Sequence, residues 1–171
     1  LMERIVQSLG CKDRLSSDKV KERVGSLVRD GRKSCELYPR VRPAETDDQN
    51  RHIERLYFNS ERGIVIPAVF VKPASCEGKV PATIVVGDDI TQQLQFDEDS
   101  VMMRLRHLWA DGKGILFIDP RASGSIPAKP QPGKENPRSI YGSIYTIAIN
   151  AWMLGDNLVC GRAYDIVRGL E

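Results

Sequence analysis

Two short apolar runs, Pro81–Val86 (PATIVV) and Gly114–Ile118 (GILFI), flank a stretch of helical periodicity, and this arrangement constrains the fold most. A strand covered by helices on both faces reads as a continuous apolar run rather than an alternating one. Between the two runs, Phe96–Ala110 places Val101, Leu105 and Leu108 on one side of a helix. Asp97, Glu98 and Asp99 supply the negative charge that a first helical turn favours. Strand, helix, strand in that order predicts a parallel pair joined by a right-handed crossover. Helices are then expected on both faces of the sheet, and the fold class is α/β.

The flanking sequence extends the pattern. Ser17 or Asp18 can cap a helix in which Val20, Val24, Leu27 and Val28 recur at spacings of three and four, with Gly31 ending it. The helical pattern runs from Leu1 to about Arg42. Pro39 to Asn50 is a polar connector, expected to be an exposed loop. From His52 the period changes to two. Ile53, Arg55, Tyr57 and Asn59 alternate with Glu54, Leu56 and Phe58, as in a strand near a sheet edge. Glu61-Arg62-Gly63 reads as a hairpin turn into Ile64–Lys72, where Pro67 predicts incomplete pairing or a bulge. After Asp119-Pro120 a loop of roughly twenty residues, Arg121–Arg138, has the length of a functional segment. Helices are expected at about Ser143–Leu154 and Asp156–Glu171, joined at Gly155, with Asp156 capping the second. The division is therefore a helical extension and connector over residues 1–50, followed by an α/β domain over residues 51–171.

Composition narrows the function classes. The 171 residues suffice for one real core, and 41% hydrophobic with 28% charged residues is ordinary for a globular domain. A net charge of +2 with interspersed signs makes no electrostatic case for nucleic acid or a membrane surface. The basic stretch around Lys19–Lys33 carries Asp18, Glu22 and Asp30 among its cations, which suits a solvated helix face. No apolar run approaches a membrane span. The chain opens on Leu1 without a signal-peptide pattern, which leaves the compartment open. Cys11, Cys35, Cys76 and Cys160 lack the spacing of a zinc site, and no metal or cofactor is expected. A Cys11–Cys35 bridge would suit a secreted protein; buried or idle thiols are the default.

Three segments together resemble the opening of the α/β-hydrolase fold. Glu54–Pro73 (ERLYFNSERGIVIPAVFVKP) resembles the family's first two strands, and Asp119–Ser125 (DPRASGS) its D-x-R-G-x-G-x-S segment. Ala151–Leu170 (AWMLGDNLVCGRAYDIVRGL) resembles the helix that precedes the nucleophile strand. Within the superfamily the likeness is to the acetyl xylan esterase and dienelactone hydrolase-like branch, over residues 52–171. It implies an antiparallel hairpin followed by parallel strands, and a serine-type hydrolase of carboxylic esters, with an acetylated polysaccharide as one substrate. A secreted or periplasmic location goes with that substrate.

The resemblance also assigns positions. The loop after Pro81–Val86 supplies one oxyanion-hole N–H in the family, which here designates Gly87 or Asp88. Two adjacent carboxylates, Asp88 and Asp89, are of the wrong sign beside a developing oxyanion. A metal pair at those two is the lesser alternative. Arg121, Ser123 and Ser125 are cleft-loop candidates; a locally paired Arg121 that shapes the loop with Gly124 is the more ordinary role. Ala122 stands where the family has glycine, so a looser turn is expected. Arg162, Asp165 and Arg168 at helical spacing read as a surface ion-pair ladder. Trp152 and Met153 read as core. His52 and His107 read as surface residues.

No G-x-S-x-G occurs, so no catalytic residue is expected in this chain. The last helix should feed the nucleophile strand, which in the family lies beside the equivalent of Pro81–Val86. Without it that strand is an open apolar edge, expected to need the rest of the hydrolase domain or a second copy to cover it. The rival expectation is a non-catalytic binding or structural protein on the same scaffold.

Overall fold

A computed structural model describes residues 16–47, 50–87, 90–91, 104–129 and 142–171. The chain divides into two compact units, Leu1–Asp30 and Gly31–Glu171. In the first, helix α1 (Ser17–Arg29) is capped by Ser16, one residue before the expected position; its Oγ accepts from the Lys19 N–H at 3.4 Å. The helix stops at Asp30, and Gly31 takes φ +69°.

The helical reading to Arg42 does not hold beyond that point. Residues 32–39 carry no helix, and the connector forms two short strands, β1 (Arg40–Val41) and β2 (Glu45–Thr46). Pro39 and Pro43 fix φ and lack the N–H a helix interior needs. Both strands instead pair antiparallel along β3 (Arg51–Glu61).

The hairpin of β3 and β4 (Ile64–Pro73) follows the sequence reading, with Gly63 at φ +84° in its turn. The irregularity lies in β3, between Asn59 and Glu61. Pro67 stands just before the ladder to β6 (Gly114–Ile118), which begins at Ala68. A prolyl residue thereby avoids a position where its missing N–H would be needed. β5 (Ala82–Val86) pairs parallel with β6, as the two apolar runs require. The order across the sheet is β1-β3-β4-β6-β5, with β2 also on β3.

Core residues lie on both faces of this sheet. Val69 and Val71 of β4, Ile115 and Phe117 of β6, Ile53 and Ile90 form one cluster, against which Leu105 and Leu108 pack. The described part of the crossover helix is α2 (Arg106–Ala110); the rest of Phe96–Ala110 up to Met103 lies outside the described residues. The alternate residues Ile66, Ala68 and Ile118, with Phe58, form the other cluster, joined by Leu37, Leu116 and Ile126. α3 (Ser143–Met153) and α4 (Leu158–Arg168) follow, with Gly155 at φ +77° between them. The cap of α4 is Asn157 rather than Asp156: its side chain accepts from the Val159 N–H at 2.7 Å.

Two burial expectations are corrected. β5 is not covered on both faces: Ala82, Thr83 and Val86 are exposed, because β6 is its only neighbour among the described strands. Trp152 and Met153 are not core either; with Leu154 they are 73%, 77% and 85% exposed, at the end of α3.

Candidate functional site

In an open α/β sheet, ligands bind beyond the carboxyl ends of the parallel strands. Here those ends are Val86 and Ile118, and the segments leaving them are joined through one side chain. Asp119, the residue after β6, is fully buried. Its Oδ1 accepts the N–H groups of Ile90 (2.9 Å) and Thr91 (3.3 Å). Its Oδ2 accepts the Ser125 N–H at 3.0 Å, the Ser125 hydroxyl at 2.8 Å and the Thr91 hydroxyl. Burial alone would raise the Asp119 pKa, but these hydrogen bonds from Thr91 and Ser125 outweigh it and hold it below the ordinary carboxylate value.

Gly87 opens the segment after β5. A Cβ built there would lie 2.9 Å from Ile90 Cδ1 and 3.1 Å from its Cβ, so a larger residue would force the Ile90 side chain to shift. The other oxyanion candidate, Asp88, and Asp89 lie outside the described residues.

The loop after β6 is held from a second direction. The expected local pairing of Arg121 is not found; it pairs instead with Asp165 on α4. Nε donates to Oδ2 at 2.9 Å and Nη2 to Oδ1 at 2.6 Å, a fork-to-fork geometry, and the Arg121 N–H adds a third bond to Oδ2. Nη2 also reaches Glu61 at the end of β3, at 2.6 Å. Burial works against the charge on Arg121, but Asp165 and Glu61 outweigh it and raise its pKa above the ordinary value. Glu61 in turn accepts from Arg32, whose guanidinium also pairs with Asp156 and lies 5.8 Å from the centre of the Tyr164 ring.

Arg162, Asp165 and Arg168 are therefore not a surface ladder. Asp165 is fully buried and Arg168 is 5% exposed. Arg162 donates to the carbonyls of Arg121 (3.0 Å) and Ala122 (2.8 Å), and Arg168 donates to the Cys35 carbonyl and pairs with Glu171. Gly161 leaves room for this: a Cβ there would sit 3.2 Å from the Arg121 side chain. Ala122 adopts φ +57°, a left-handed conformation in which glycine is at ease and alanine is not.

Of the cleft-loop candidates, Arg121 faces α4, Ser123 is buried with its hydroxyl on the Pro120 carbonyl at 2.6 Å, and Ser125 is bonded to Asp119. Residues 130–138 of the long loop lie outside the described residues. His52 is half-buried and pairs with Glu54; the exposed His107 ring lies against the Arg104 carbonyl. Neither ring partners a serine in these contacts. Among the described residues no group of three or more His, Cys, Asp or Glu side chains is placed to hold a metal. No described helix is long and apolar enough to cross a membrane.

Asp119 and Asp165 as anchors are what sequence reasoning missed. The D-x-R spacing of the Asp119–Ser125 segment was the available signal, since two charges leaving a buried strand need partners.

No protein-family model matches the sequence, and no curated protein matches it. Solved structures do. A protein from Bacteroides fragilis assigned as an acetyl xylan esterase superposes with a TM-score of 0.62 at 14% identity, over 90% of this chain and 41% of its own. Acetyl xylan esterase 1 from Thermoanaerobacterium superposes with a TM-score of 0.51 at 19% identity, over 90% of this chain and 49% of its own. The chain thus spans less than half the length of either. With its hairpin, its parallel β5–β6 pair and its helices, the chain carries part of the α/β-hydrolase fold, in the form seen in acetyl xylan esterases.

Proposed function

We propose that this chain contributes one side of the active centre of a carboxylic ester hydrolase, with the serine, acid and histidine on sequence outside residues 1–171. The observation that carries the reading is the joining of the segments after β5 and β6 by Asp119, at the strand ends where this fold binds its ligands. In this reading Gly87 or Asp88 offers one backbone N–H to the developing oxyanion, and the loop from Arg121 forms a wall of the cleft. The substrate class is an acetyl ester, an acetylated polysaccharide included, in keeping with the two esterases of similar fold. The free side of β5 receives a further strand, from the rest of the hydrolase domain or from a second copy.

The test is hydrolysis of p-nitrophenyl acetate and acetylated xylan by the native protein, with a fluorophosphonate to mark the nucleophile. Turnover with label on a serine outside residues 1–171 supports the reading. No turnover and no label would favour the second reading, a non-catalytic scaffold. The two carboxylates of Gly87-Asp88-Asp89 favour that alternative.

A further inference from the structure

We propose that Asp119 is a positioning residue for ester hydrolysis: through Ile90 it fixes Gly87, and with it the backbone N–H offered to the oxyanion. The inference rests on the esterase reading above and adds a residue to it.

The coupling has two steps. Asp119 Oδ1 accepts the Ile90 N–H at 2.9 Å, which sets the backbone four residues into the segment after β5. The Ile90 side chain is buried in the cluster of Ile53, Val69, Val71, Ile115 and Phe117, and it lies directly against Gly87. Ile90 is thus held by its backbone from one side and by its side chain from the other, and it forms the wall against which Gly87 stands.

The chemistry demands a carboxylate at position 119. Each of its two oxygens accepts from a backbone N–H: Oδ1 from Ile90 and Thr91, Oδ2 from Ser125. An amide of the same shape presents one acceptor oxygen and one NH2 group. Whichever way it turns, its NH2 group faces a backbone donor. The hydroxyls of Thr91 and Ser125, 3.0 Å apart, can rotate to accept, but the backbone groups cannot. Asp119→Asn should therefore release either Ile90–Thr91 or Ser125 while changing almost nothing in volume.

The experiment pairs hydrogen exchange with kinetics on the native protein. In Asp119→Asn, exchange over residues 87–91 should rise about tenfold while β4 keeps its protection. On p-nitrophenyl acetate, kcat should fall by about 100-fold, the loss of one oxyanion donor, with KM nearly unchanged. Thr91→Val removes a hydroxyl and keeps both backbone donors, so its kcat should fall only a few-fold. Should Asp119→Asn fail to fold, the double variant Thr91→Val with Ser125→Ala should show the same two effects, reduced in size. Unchanged exchange over residues 87–91 overturns the anchoring. Raised exchange with kcat retained overturns the catalytic consequence and leaves a structural bond. A parent protein without turnover sinks the esterase reading and the oxyanion role with it, whereas the exchange result alone still decides whether Asp119 holds the segment.

Discussion

At Ala122 sequence and backbone disagree, as a non-glycine residue takes a left-handed conformation. At φ +57° an L-residue brings Cβ close to its own following carbonyl, at a cost of about 1–2 kcal/mol. The Ala122 carbonyl is held by Arg162, so the chain keeps the turn and absorbs the strain. Ala122→Gly should therefore stabilise the protein by about 0.5–1 kcal/mol, after glycine's own entropic cost is set against the relief. A rise in the urea midpoint checks it, and a fall would show that the turn is not strained. Asp119 makes a second prediction. Its folded pKa lies below the unfolded value of about 3.9, so its contribution is fully present above that value. It is lost as pH falls through the unfolded value and on toward the folded one. Stability should hold from neutral to about pH 5 and decline below about pH 4. Asp119→Asn should be less stable at neutral pH and lose less between pH 5 and pH 3; parallel losses would remove Asp119 as the cause.

Among the elements, α4 shows why half of the site was legible and half was not. Its presence after Gly155 was readable from the apolar spacing, although it runs from Leu158 to Arg168 rather than from Asp156 to Glu171. Its charges were misread because residues three apart on a helix normally pair with one another in solvent. Nothing local reveals that a strand end 44 residues earlier delivers an arginine to Asp165. The same limit applies to α3, whose Trp152 and Met153 read as core while its last turn stands in solvent. The hairpin and the β5–β6 pair were legible because period and apolar runs are local signals. Asp165→Asn tests the long-range part. Breaking a buried ion pair costs about 3–5 kcal/mol; here about 3 is expected, because Glu61 still meets Arg121. Chemical denaturation measures it. A loss below 1 kcal/mol would return Asp165 to the surface ladder that the sequence suggests.

At the scale of the whole molecule, the two edges of the sheet differ in kind. The β1 and β2 edge is short, carries Arg40 and Glu45, and has Pro39 and Pro43 beside it, the usual protections against edge-to-edge pairing. β5 is less protected: Pro81 precedes it, but Ala82–Val86 is uncharged and half-exposed, with β6 as its one neighbour among the described strands. An open strand of this kind offers a row of N–H and C=O groups to any extended chain. Trp152, Met153 and Leu154 add a second apolar surface on α3. Residues 1–171 expressed alone should therefore self-associate, eluting from a size-exclusion column ahead of a monomer. The two surfaces separate by substitution. Thr83→Lys places a charge on the exposed β5 strand and should shift the chain toward monomer, because ladder pairing does not tolerate it. Trp152→Ser should act more weakly, since a side-chain patch lacks the backbone hydrogen bonds that make strand addition cooperative. If Trp152→Ser alone restores the monomer, association runs through α3 and β5 is not the recipient of a strand. A parent chain that runs as a monodisperse monomer with a cooperative melt would show that β5 needs no partner at all.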